Sequence, residues 1–160
     1  MMQASRPLRL GVVAAVLLVL AACASPPPPP KPTEVAATLQ AGAELNPDVR
    51  KRASPLVVRI YELRSSATFE SADFVSLYER DQATLAAEMG SREEFVLRPG
   101  DSKTWDKTTA PDIKYIGVIG AFRDIERARW KSIVELKPNN KNIIAIRADA
   151  IAVEAKRTAP

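Results

Sequence analysis

Trp130-Lys131-Ser132-Ile133-Val134-Glu135-Leu136-Lys137-Pro138-Asn139-Asn140 is the stretch whose reading decides the fold. Trp130, Ser132, Val134 and Leu136 fall on one side of an extended chain, and Lys131, Glu135 and Lys137 fall on the other. That two-residue period is the signature of a half-buried strand. The Asn139-Asn140 pair tolerates left-handed backbone and predicts a tight hairpin. Beyond it, Ile144 and Ile146 are even-numbered whereas Ile151 and Val153 are odd. One face of an unbroken pleat cannot hold both sets, so a bulge or bend is expected near Asp149.

Working outward, the same period recurs along the chain. Ile113 to Phe122 is apolar on both faces and reads as a central strand. Gly117 and Gly120 inside it imply a bulge or close packing. Leu56 to Leu63 is a largely covered strand, and Thr33 to Ala41 alternates Val35, Ala37, Leu39 and Ala41 against Glu34, Thr38 and Gln40. Phe95 and Leu97 mark another strand, which Pro99-Gly100-Asp101 turns into one from Ser102 to Lys107. A helix is expected from Ser71 to Arg80, with Ser71 as N-cap and Phe74, Leu77 and Tyr78 on one face. A second short turn is expected from Asp81 to Met89, stopped by Gly90. About seven short strands with tight turns and one inserted helix specify a mainly β fold, a two-sheet β-sandwich with one added short helix.

The amino-terminal segment has a different composition. Arg6 and Arg9 precede an apolar run, Leu10 to Leu20, that is too short to span a bilayer. Leu20-Ala21-Ala22-Cys23 then resembles the lipobox of bacterial lipoproteins, in which the cysteine carries the acyl chains. Cys23 is therefore the expected lipidation site, and two or more chains would anchor it stably. Ala24 stands where an aspartate would resemble the inner-membrane retention signal, which points to the periplasmic face of the outer membrane. Pro26 to Pro30, with Lys31 and Pro32, is expected to form a polyproline II spacer of about 20–25 Å at about 3.1 Å per residue. The expected organisation is a signal peptide over 1–22, a lipidated cysteine and spacer over 23–32, and a sandwich domain over 33–156.

Charge and residue inventory exclude several functions. Removing 22 residues from 160 leaves 138, with 21 basic and 19 acidic side chains once Arg6 and Arg9 are gone. A balance of +2 argues against nucleic acid as partner. The chain has no histidine and one cysteine, so it lacks a disulfide, a His or Cys metal site, and a Ser-His or Cys-His nucleophile. It has no Gly-rich phosphate loop, and no cofactor, metal or small-molecule substrate is expected. Glu93 and Glu94 point to opposite faces of a strand, and Asp124 and Glu126 lie among Arg123, Arg127 and Arg129. Neither set makes a catalytic carboxylate pair, so the chain is not expected to be an enzyme.

Several stretches then occur in a recognisable order: Leu45-Asn46-Pro47-Asp48, Val58-Arg59-Ile60-Tyr61-Glu62-Leu63, Ala72-Asp73-Phe74, Leu77-Tyr78-Glu79-Arg80-Asp81, Arg92-Glu93-Glu94-Phe95, Leu97-Arg98-Pro99-Gly100 and Tyr115-Ile116-Gly117-Val118. Together, over about Thr33 to Val153, they resemble the TssJ family, the outer-membrane lipoproteins of type VI secretion systems. Ala53 is a departure, since the resemblance leads one to expect a further proline there. The resemblance implies a transthyretin-like sandwich that tethers the periplasmic part of the inner-membrane protein TssM to the outer membrane. It implies contact through the loop between the first two strands, here Gly42 to Ser54. The alternative is a free-standing periplasmic lipoprotein that inhibits an enzyme or binds a small ligand.

That loop is long for a hairpin connection, and long loops in compact domains are often functional. By composition it reads as a solvated cationic loop; the resemblance turns the reading to partner binding by Leu45, Asn46, Pro47, Asp48, Val49, Arg50, Lys51 and Arg52. Leu45 or Val49, both expected to be exposed, would supply an apolar anchor held by Pro47. Arg50, Lys51 and Arg52 would steer toward an acidic patch, setting on-rate more than lifetime.

Overall fold

The computed structural model describes residues 29–158. Its elements are β1 (Thr33–Ala41), β2 (Leu56–Leu63), α1 (Ala67–Ser71), α2 (Phe74–Glu79), α3 (Asp81–Leu85), a 3-10 turn (Ala86–Glu88), β3 (Met89–Leu97), β4 (Ser102–Thr109), β5 (Tyr115–Gly120), β6 (Lys131–Glu135), β7 (Lys141–Ala148) and β8 (Val153–Thr158). The strands form two four-stranded sheets, in the orders β4-β1-β7-β8 and β3-β2-β5-β6. The β1–β7 pairing is parallel and the other ladders are antiparallel.

Alternation decides what each sheet buries. Val35, Ala37 and Leu39 of β1 face Leu56, Val58 and Ile60 of β2, with Ile116, Val118, Ile144 and Ile146 in the same inner cluster. Apart from Arg59, the outward residues of β2 and β5 are apolar or glycine as well, so the β3-β2-β5-β6 sheet needs a second cover. Tyr61, Leu63 and Ile119 receive it from Phe69, Leu77 and Leu85 of the three short helices. The outward face of the other sheet is polar or half-exposed, with Glu34, Thr104, Lys141 and Lys156 on it, and needs none.

Side chains fix the helical layer in place. Asp73 caps α2 by accepting a hydrogen bond from the Ser76 backbone N–H at 2.9 Å. Lys131 Nζ donates to the carbonyls of Phe69, Glu70 and Ala72, the unsatisfied acceptors at the end of α1. Burial lowers the pKa of this ammonium, against the pull of Glu70 and Asp73. Phe74 stacks on Tyr78 and meets Trp130 edge-on, with centroids 5.1 and 5.3 Å apart.

The sandwich and its strand boundaries follow the sequence pattern closely, with four differences. Ser71 ends α1 rather than capping α2; Asp73 takes that role because its carboxylate reaches the Ser76 amide, and α1 itself went unforeseen. Gly90 does not stop a helix: it lies inside β3, where a Cβ would sit 2.4 Å from Ile113 Cδ1. Asn139 does adopt a left-handed φ of 59°, yet the strands it joins lie in different sheets, so its turn is a crossover and no hairpin. The parity change near Asp149 is a full reversal, in which Asp149 N–H donates to Ala152 O and β8 returns along β7. That reversal makes an eighth strand.

At one edge the sheets are locked by charge. Lys107 of β4 lies 3.0 Å from Glu62 Oε2 and 3.1 Å from Glu93 Oε1, both on the opposite sheet. Burial opposes the charged lysine, but the two carboxylates outweigh it and raise its pKa.

Gly117 marks the tightest approach of helix to sheet, since a Cβ there would fall 2.8 Å from Phe69 Cζ and 2.9 Å from Leu63 Cδ1. Gly117→Val should destabilise the domain by about 1–3 kcal/mol through overpacking, read as a lower urea midpoint with an unchanged m-value. A wild-type midpoint would show that the helical layer is not seated as described.

Candidate functional site

The Gly42–Ser54 loop does not close a hairpin; it carries the chain from one sheet to the other across an end of the sandwich. Its entry is tight, because a Cβ on Gly42 would lie 2.4 Å from Asp149 Oδ1. Gly42 N–H donates to Ala148 O and Ser54 N–H to Leu45 O, so both loop ends are held by backbone.

Leu45 corrects an expectation. It has no exposed surface and belongs to the inner core, so it anchors the loop to its own domain and is not available to a partner. Asn46 beside it is also buried, at a φ of 47° that asparagine tolerates better than most residues. Its backbone N–H donates to Ala150 O, its Nδ2 donates to Pro55 O at 2.8 Å, and its Oδ1 accepts from Arg123 N–H at 2.9 Å. The side chain thus joins the β1–β2 and β5–β6 connections, and the backbone of the same residue holds the β7–β8 connection. Two backbone bonds, Arg129 N–H to Ile151 O and Val153 N–H to Arg129 O, add a second seam between the last two.

Beyond Asn46 the loop turns outward and is shaped by Asp48. Its Oδ1 accepts from Arg50 N–H at 2.8 Å and Arg52 N–H at 3.0 Å, and its Oδ2 lies 2.7 Å from Arg52 Nη2. Hydrogen bonds from the Arg52 amide and then its guanidinium hold the Asp48 carboxyl below its ordinary range. Arg52 is therefore engaged within the loop, whereas Arg50 and Lys51 are exposed and in no ion pair among the described residues. Val49 stands at the tip fully exposed, at 101% relative accessibility. Of the two proposed apolar anchors, Val49 alone can meet a partner.

The tip does not stand alone. Pro47, Asp48, Val49 and Lys51 form one wall of a cleft of about 660 Å³, and Arg123, Asp124, Arg127 and Ile151 form the rest. The last four were missed as site residues because they lie far away in sequence and only the fold assembles them. Asp124 is held by Arg127 at 2.5 Å, which agrees with neutralisation at a surface turn. Glu93 and Glu94 do diverge, toward Lys107 and Arg59 respectively. Cys23 lies outside the described residues.

A family model described as type VI secretion lipoprotein, VasD, EvfM, TssJ matches residues 33–151. Among solved structures, the T6SS lipoprotein TssJ1 from Pseudomonas aeruginosa is similar at 30% identity and a TM-score of 0.78, over 81% of this chain and 98% of that one. Serratia marcescens Lip, a membrane-bound component of the type VI secretion system, gives 23% and 0.73, over 81% and 99%. A chain of a type VI membrane complex gives 22% and 0.66, over 81% and 100%. Comparison with curated proteins gives no match.

Asn46→Ala removes the partner of the Pro55 carbonyl and the Arg123 amide, and should cost about 1–3 kcal/mol in urea unfolding. A loss near zero would show that the side chain does not tie the β1–β2 and β5–β6 connections. For Asp48 the folded pKa is depressed, so its contribution to loop order is complete above the ordinary carboxylate pKa of about 3.9 and fades as pH falls through the folded value. Protection factors of the Arg50 and Arg52 amides, taken against the intrinsic exchange rate at each pH, should be high at neutral pH and should fall at low pH or in Asp48→Ala. Equal protection in both proteins at pH 7 would refute this shaping role.

Proposed function

This chain belongs to the TssJ family of type VI secretion lipoproteins, and from that premise we propose that it tethers the periplasmic part of an inner-membrane TssM partner to the outer membrane. Cys23 carries the acyl chains, the 26–32 proline-rich segment is the spacer, and the sandwich presents the loop between β1 and β2 as the contact. Catalysis has no part in it; the protein works as an architectural component.

The observation that carries this reading is the family match over residues 33–151, together with the 30% identity to a T6SS lipoprotein covered along 98% of its length. The loop's own chemistry supports it. Val49 is a fully exposed aliphatic side chain, held out by Pro47 and the Asp48 hydrogen bonds with Arg50 and Lys51 beside it. An exposed apolar tip on a braced loop loses little conformational entropy on docking. Leu45 and Asn46 serve by bracing the loop from within, and Pro47 to Arg52 supply the contact.

A free-standing periplasmic lipoprotein that inhibits an enzyme or takes a small ligand is the second reading, and the cleft beside Val49 is the observation in its favour. Crosslinked pull-down from membrane fractions separates the two. The tether should recover a large inner-membrane protein with the intact chain and lose it when residues 47–52 are replaced by a Gly-Ser segment. Recovery of no such protein by either form would favour the second reading.

Anchoring has its own test. Cys23→Ser, exported through a conventional signal peptide, should appear soluble in the periplasm and should abolish type VI secretion. Full secretion with that variant would contradict a tethering role.

A further inference from the structure

Four large hydrophobic side chains among the described residues are conspicuously exposed: Val49, Val75, Val96 and Ile151. Two of them, Val49 and Ile151, line the same cleft although they come from different connections. The cleft's charged lining is asymmetric. Asp48 is engaged by Arg52 and Asp124 by Arg127, while Lys51 and Arg123 are exposed and form no ion pair among the described residues. A ligand therefore meets two aliphatic surfaces and two uncommitted cations, with the acidic groups already satisfied. Asn46 fixes the relative position of the walls through its bonds to Pro55, Arg123 and Ala150.

Resting on the tether reading above, we propose that the docking site is this three-connection cleft and not the β1–β2 loop alone. Its occupant is a short acidic segment of the periplasmic protein partner that places an aliphatic side chain between Val49 and Ile151 and carboxylates against Lys51 and Arg123. Charge complementarity selects an acidic chain, and the concave shape selects a protruding segment over a flat bilayer. Ile151 and Arg123 are thereby contact residues, and Asn46 is a positioning residue that never touches the partner.

The test titrates the partner's periplasmic domain against the intact lipoprotein in detergent micelles, at low and at high salt. Val49→Asp, Ile151→Asp and Arg123→Glu should each weaken binding at least about tenfold, and Arg123→Glu should also flatten the salt dependence. Arg123→Lys should restore most of both. Val75→Asp and Val96→Asp, which lie outside the cleft, should bind as wild type. Thermal melts verify folding, and Ile151→Ser replaces Ile151→Asp should the latter melt early. Loss with Val49→Asp but wild-type binding by the Ile151 and Arg123 variants would overturn the three-connection cleft and leave the loop reading standing. Wild-type binding by all three would overturn both. Should Val49→Asp and Ile151→Asp instead abolish self-association or binding to phosphatidylglycerol vesicles, with partner affinity intact, the occupant is another copy or lipid and the proposal fails.

Discussion

A strand that is apolar on both faces must be covered twice, and most of this structure answers that constraint. β2 and β5 carry Val58, Ile60, Ile116 and Val118 inward and Tyr61, Leu63 and Ile119 outward. The inward set is buried by the opposing sheet. The outward set would expose a wide apolar surface without α1 to α3, so the helices are as much a part of the core as the strands. Gly117 lets Phe69 reach the sheet, and Lys131 satisfies the carbonyls that a five-residue helix cannot. Because β1 and β7 bury one face only, their polar outer surface needs no such layer.

With one face occupied by helices and the other polar, the sandwich end becomes the place where a recognition surface can be built. Three connections meet there, and residues of all three line one cleft. Asn46 and the Arg129–Ile151 seam bind them into one body, which allows aliphatic side chains to stay exposed without collapsing onto each other. A rigid end suits the proposed tether, because no loop ordering has to accompany docking.

Strand positions were legible in the sequence because burial writes a two-residue period directly into residue choice, as in Val35-Ala37-Leu39. Pairing was not legible. Asn139 reports the backbone angle a turn needs, not which sheet receives the next strand, so a crossover looked like a hairpin. Leu45 failed for a related reason: a lone leucine among polar residues reads as exposed, and only the fold of Asn46 back over the sandwich end buries it. The candidate loop was found through the ordered resemblance, whereas Arg123 and Ile151 carry no local signal at all. They join the candidate site by proximity to Val49, which is a property of tertiary structure.

The central claim is that the Val49 end of the sandwich meets a protein of the opposite membrane. Its most direct test is photocrosslinking in living cells, with a photoreactive phenylalanine derivative placed singly at Val49 and, on the polar outer face, at Thr104. The account requires an adduct between this lipoprotein and an inner-membrane secretion component from position 49 and none from position 104. An adduct from position 104 alone, or from neither position while secretion continues, would contradict it.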